Sequence, residues 1–150
     1  MKSLVMAGGL MLAMTQVAAA QERPVIDVIK QATCGCCSGW VAAMQKAGFA
    51  LNVRDVSGEE LDAAKQASGL SQDLWGCHTA SVAGYTIEGH VPAREILRLL
   101  DERPAALGLA TPGMPLGAPG MEADGRSDAY DVIFVGLDRS QKVYASYPGN

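Results

Sequence analysis

Pro24-Val25-Ile26-Asp27-Val28-Ile29-Lys30, then Gln31-Ala32-Thr33-Cys34-Gly35-Cys36-Cys37-Ser38-Gly39-Trp40, is the stretch on which the fold turns. Its first half is short and β-branched, which predicts a strand over Pro24 to Lys30. The Thr33-Cys34-Gly35 turn ends that strand. From Cys36 to Gly48 the pattern becomes helical. Trp40, Val41, Met44 and Ala47 recur at three- and four-residue spacing, and Gly48 supplies the stop. A C-x-x-C pair, Cys34 and Cys37, therefore sits where a first strand hands over to a first helix. Cys36 is a third thiol set between its ends.

The same reading carries outward. Leu51, Val53 and Val56 predict a second strand. Ser57 to Ser68 reads as a helix, with Ser57 as cap, Glu60 three residues on, and Leu61 and Ala64 facing inward. Leu70 to His78 reads as a short turn or helix. Ala80 to Ala83 and Tyr85 to Glu88 read as a hairpin turning at Gly84. Pro92 opens an amphipathic helix with Ile96, Leu97, Leu99 and Leu100 on its apolar face, stopped at Arg103-Pro104. Leu107 to Gly125, rich in Gly, Pro and Met, is expected to be an irregular loop long enough to have a role. Tyr130 to Val135 and Lys142 to Tyr147 should add an antiparallel pair of strands. The order β-α-β-α-β-β-α resembles the thioredoxin-like fold. The expected class is α/β: a central mixed sheet with flanking helices and a C-terminal β-hairpin extension.

The chain has 150 residues and a formal net charge of −4. Its start is not expected to belong to the folded domain. Lys2, the apolar run Leu4 to Met14 and the small residues Ala18-Ala19-Ala20 form the pattern of a secretory signal peptide over residues 1–20. That run is shorter than the roughly 20 apolar residues of a membrane span. Residues 21–150 are then one domain, exported and periplasmic, with no membrane span after cleavage. Losing Lys2 makes it one charge more acidic. It carries no basic patch of the kind nucleic acid demands.

Export places all four cysteines in an oxidising compartment. Thiols there serve as staples, as redox groups or as metal ligands. Four cysteines allow 3 pairings. Adjacent Cys36 and Cys37 bridge only with strain, which removes that pairing and its complement Cys34–Cys77 and leaves two. As a thiol–disulfide oxidoreductase, Cys34 would attack and Cys37 would resolve. Cys34 precedes a helix N-terminus, where a thiolate is favoured. Against plain redox work, thioredoxin-like oxidoreductases set a cis-proline before the third strand, and Cys77-His78-Thr79-Ala80 stands there instead. Three or four thiolates within reach of one another favour a soft metal. His78 and His90 offer imidazole to the same place. Met114 and Met121, in Pro-Gly turns with no defined core face, offer thioethers, which select copper over zinc.

Cys34-Gly35-Cys36-Cys37, Cys77-His78-Thr79-Ala80, Gly84-Tyr85, Ile87-Glu88-Gly89-His90-Val91-Pro92, Pro112-Gly113-Met114-Pro115 and Pro119-Gly120-Met121-Glu122 together resemble the CopG-like copper-resistance proteins, an exported thioredoxin-like metal-binding family. The likeness runs from about Val25 to Tyr147. It implies copper as the bound metal; the thiols themselves favour Cu(I), and four of them around one turn could bridge several ions. Cys34, Cys36, Cys37 and Cys77 are the implied ligands, with His78, His90, Met114 and Met121 as further candidates. Other periplasmic copper-handling proteins are the implied partners, and copper redox cycling is an activity it would permit.

Overall fold

A computed structural model describes residues 23–150. The expected signal segment lies outside them. Among the described residues a seven-stranded sheet runs in the order β2-β1-β3-β4-β5-β6-β7. Its members are β1 (Ile26–Lys30), β2 (Leu51–Asp55), β3 (Thr79–Val82), β4 (Tyr85–Gly89), β5 (Ala106–Thr111), β6 (Tyr130–Gly136) and β7 (Gln141–Tyr147), with helices α1 (Gly35–Lys46), α2 (Gly58–Ala67) and α3 (Ala93–Glu102). β1 pairs parallel with β2 and antiparallel with β3, and β4 pairs parallel with β5. This is the mixed thioredoxin-like sheet, and β6 and β7 form the expected antiparallel pair.

Each helix has a local cause. Cys34 caps α1, its Sγ accepting the Cys37 N–H at 3.3 Å. Cys37, Trp40 and Met44 are the buried stripe of α1. Ser57 caps α2 through the Glu60 N–H, and Glu59 and Glu60 meet the positive end of its dipole. In α3 the buried positions are Glu95, Ile96 and Leu99, and Arg103 in the left-handed region ends it. The main core joins Ile26 and Val28 of β1 to Trp40 and Met44 of α1, Ile96 and Leu99 of α3, and Ile87, Leu109 and Val132 of the sheet. Asp27 and Ile29, the alternate residues of β1, line the other face with Ala64 and Ala67 of α2 and its cap Ser68. A smaller cluster of Leu70, Leu74, Ala110 and Val135 closes the sheet beyond α2.

One expected loop is partly a strand. Residues 107–111 belong to β5, in the interior of the sheet between β4 and β6. Its sequence, Ala106-Leu107-Gly108-Leu109-Ala110-Thr111, is poor in β-branched residues, so propensity hides it. Pairing on both sides decides instead. Gly108 is required there, because a Cβ would fall 1.8 Å from the Thr86 carbonyl oxygen. The irregular part of the stretch starts after Thr111.

Candidate metal centre

Three chain segments converge at one end of the sheet. The first is the turn after β1, where Cys34 N–H bonds the Gln31 carbonyl and α1 begins. The second and third are the two ends of the β3–β4 hairpin. Thr79 pairs with Glu88, so Cys77-His78 enters beside the exit of Gly89-His90, and Gly89 N–H bonds the His78 carbonyl at 3.0 Å. The hairpin register thus brings Cys77 and His90 together, and α1 points its first turn at both.

The sulfurs of Cys34, Cys36, Cys37 and Cys77 all lie within 4.8 Å of one another. Cys34 and Cys37 are joined in a disulfide with Cα atoms 5.3 Å apart, and Cys36 and Cys77 are free. Cys36 Sγ lies 3.5 Å from both Cys34 Sγ and Cys77 Sγ, and Cys77 Sγ lies 3.4 Å from Cys37 Sγ. Of the two pairings left open by the sequence, half of one is closed. Cys37 is buried, whereas Cys34, Cys36 and Cys77 are partly exposed, so the cluster opens to solvent along one edge.

Two histidines back the sulfurs. The Cys77 Sγ, His78 and His90 ligand atoms form a second mutually close group, also within 4.8 Å. His90 Nε2 lies 2.9 Å from Cys77 Sγ, and His90 Nδ1 lies 2.8 Å from the Pro119 carbonyl oxygen. A carbonyl only accepts, so Nδ1 carries the proton and Nε2 presents its lone pair to the thiol. Burial holds His90 below its ordinary pKa and keeps it neutral. His78 is wholly buried, its ring tilted against Trp40 with centroids 4.6 Å apart, and burial pulls its pKa down to about 3. His78 Nδ1 is 3.6 Å from Cys77 Sγ, and Nε2 has no hydrogen-bond partner among the described residues. Burial, then the neighbouring Cys36, pushes the Cys77 thiol well above its ordinary value. Cys77 therefore keeps its proton at neutral pH. The group offers sulfur and neutral imidazole, the donor set of copper or zinc rather than of hard cations.

The segment after β5 straps this end of the molecule. Gly113 N–H bonds the Trp75 carbonyl, and the Pro119 carbonyl orients His90. Gly120 lies on the first turns of α1: a Cβ there would sit 2.5 Å from the Cys36 carbonyl oxygen. The two methionines differ. Met114 is 55% exposed and lines a surface cleft with Pro112, Pro115 and Asp128. Met121 is partly buried and directly follows Gly120, with its N–H on the Ala118 carbonyl. Pro119 acts through its backbone carbonyl, which no residue-type signal announces. Lys65 and Glu88, a buried ion pair behind Cys77, were also silent in the sequence. A charged residue on a helix or strand reads as solvated unless its partner is known.

A family model described as a protein of unknown function, DUF411, matches residues 74–121. No curated protein matches the chain. Two solved structures, both of a copper resistance protein copG, in Form 1 and Form 2, match at 40% identity. Each covers 85% of this chain and 100% of its own, with TM-scores of 0.80 and 0.79.

Proposed function

The chain belongs to the family of the copper resistance protein CopG, and on that premise we propose that it is a periplasmic protein that binds Cu(I) for copper tolerance. The observation that carries this reading is the group of four sulfurs within 4.8 Å, backed by an imidazole nitrogen 2.9 Å from Cys77 Sγ. Reduction of the Cys34–Cys37 disulfide turns two inert sulfurs into ligands. With Cys36 and Cys77 they make an all-thiolate site open to solvent on one edge. Thiolates at this spacing can bridge, so one site can take more than one Cu(I). His90 would add a neutral nitrogen with its lone pair already aimed inward, and His78 a second one. Met121 is the better placed of the two thioethers, because it follows the glycine that lies against α1. Cleavage of residues 1–20 would release the domain into the periplasm, where other copper-handling proteins would exchange metal with it.

The test is anaerobic titration of the reduced protein with Cu(I) against a chromophoric chelator. The wild type should take up copper and lose its titratable thiols in step. Full copper capacity in a protein with all four cysteines changed to serine would sink the thiolate site.

One observation favours a second reading. Cys34 and Cys37 close a disulfide at the first turn of α1, as in a thiol–disulfide oxidoreductase. Closing it from the dithiol releases two electrons and two protons, enough to reduce two Cu(II) to two Cu(I). Metal-free reduction of insulin, lost in Cys34→Ser, would favour general disulfide exchange. Disulfide formation that depends on added Cu(II) would favour copper redox cycling.

A further inference from the structure

Behind the sulfurs lies an ion pair that metal binding does not require. Lys65 of α2 is 2% exposed and Glu88 of β4 is 0% exposed, and their side chains meet in the interior. Glu88 Oε1 also accepts the Gly76 backbone N–H at 2.8 Å, and Lys65 Nζ donates to the Gly76 carbonyl at 3.1 Å. Both polar backbone groups of one residue are therefore held by a single pair of charges. Gly76 directly precedes Cys77, and Glu88 stands two residues before His90. The same pair thus ties the segment that carries the sulfur to the strand that carries the imidazole.

No side chain at position 76 could do this work. A Cβ on Gly76 would lie 2.6 Å from Gly89 Cα and 3.2 Å from the Gly113 carbonyl oxygen. Nor is the pair a good source of stability. Desolvating two charges costs about what their attraction returns, and apolar replacement of a buried pair is often neutral or stabilising. A costly pair whose hydrogen bonds converge on the residue before a ligand has a different use. We infer that Lys65 and Glu88 are positioning residues: through Gly76 they hold Cys77 Sγ at its distance from His90 and the α1 sulfurs. The inference rests on the copper reading above for its consequence, though not for its geometry.

Two double variants test it. Lys65→Met/Glu88→Leu removes the charges and the acceptor for Gly76 N–H. Lys65→Met/Glu88→Gln removes the charges but keeps an acceptor. The first should still fold, with a Tm lowered only by the Gly76 backbone groups it orphans, and bind Cu(I) about 10–100-fold more weakly, the usual loss when a ligand's support is removed. In the same reduced, copper-free protein, Gly76 amide exchange should quicken about tenfold, the equivalent of one lost hydrogen bond. The glutamine version should restore most of both. Wild-type affinity in the leucine version, or equal losses in the two versions, would overturn the inference. So would loss of the fold in the leucine version, since the pair would then be a structural prop. If the wild type takes up no copper, the copper reading fails alone. Gly76 exchange in the two variants still decides whether the pair holds Cys77 in place.

Discussion

Gly120→Ala should damage the fold and the metal centre together, and its cost can be worked from two glycines of nearly equal backbone. Gly120 has φ +84 and Gly84 has φ +87. An alanine at either pays left-handed strain of about 1–2 kcal/mol. They differ in what the new methyl meets. At Gly84 nothing among the described residues lies within 4 Å. At Gly120 the Cβ would sit 2.4 Å from Trp40 N, 2.5 Å from the Cys36 carbonyl oxygen and 2.9 Å from the Gly39 carbonyl carbon. All three are helix backbone, so no rotamer relieves the clash. Overpacking of this kind adds about 1–3 kcal/mol. If the strap lifts instead, the Pro119 carbonyl leaves His90 Nδ1, and an orphaned buried donor costs about the same. Gly120→Ala should therefore cost about 2–5 kcal/mol in urea unfolding of the reduced, copper-free protein, and Gly84→Ala about 1–2. The His90 Nδ1–H resonance should shift or vanish in the first and persist in the second. Equal costs at the two positions, with His90 undisturbed, would refute the strap.

Cys36→Ser should lower Cu(I) capacity while the Cys34–Cys37 disulfide still forms; thiol counting before and after reduction reads both, and unchanged capacity would remove Cys36 from the site. His90→Phe should weaken Cu(I) binding by about 10-fold or more, measured by chelator competition, with a small effect on insulin reduction if any is present. Copper affinity should fall as pH falls, by about tenfold per pH unit for each thiol proton displaced, because burial keeps Cys77 protonated across the neutral range. Stability of the copper-free protein should also fall in acid. His78 has a folded pKa of about 3 against an ordinary 6.5. The unfolded chain therefore binds the extra proton between those values. Stability from this group is complete above pH 6.5 and drains below it, by up to about 1.4 kcal/mol per pH unit. The slope of urea midpoints between pH 6.5 and 4 should be shallower in His78→Gln, and identical slopes would contradict the neutral burial of His78.

Much of this architecture is legible in the sequence because its signals are local. The β-branched run before Cys34 and the Trp40–Met44 spacing mark β1 and α1. Ser57 with Glu60, and Pro92 with Ile96 and Leu99, mark α2 and α3. Cys77 is legible as a candidate ligand because it stands where a proline would be expected. β5 is hidden in the sequence because Ala, Leu and Gly state no strand preference, and its conformation comes from β4 and β6. Met114 and Met121 looked equivalent in their Pro-Gly turns. Only the path of the strap separates them, one over a surface cleft and the other beside Gly120 on α1. The service of Pro119, and of Lys65 with Glu88, comes from contacts across 29 and 23 residues. Such contacts have no sequence period.

The most direct measurement is copper K-edge X-ray absorption on the reduced protein loaded anaerobically with Cu(I). The account predicts an edge typical of Cu(I) and a nearest shell dominated by sulfur, with a minor nitrogen contribution that disappears in His90→Phe. A nearest shell of nitrogen and oxygen alone, or an unaltered spectrum when all four cysteines are serine, would contradict it.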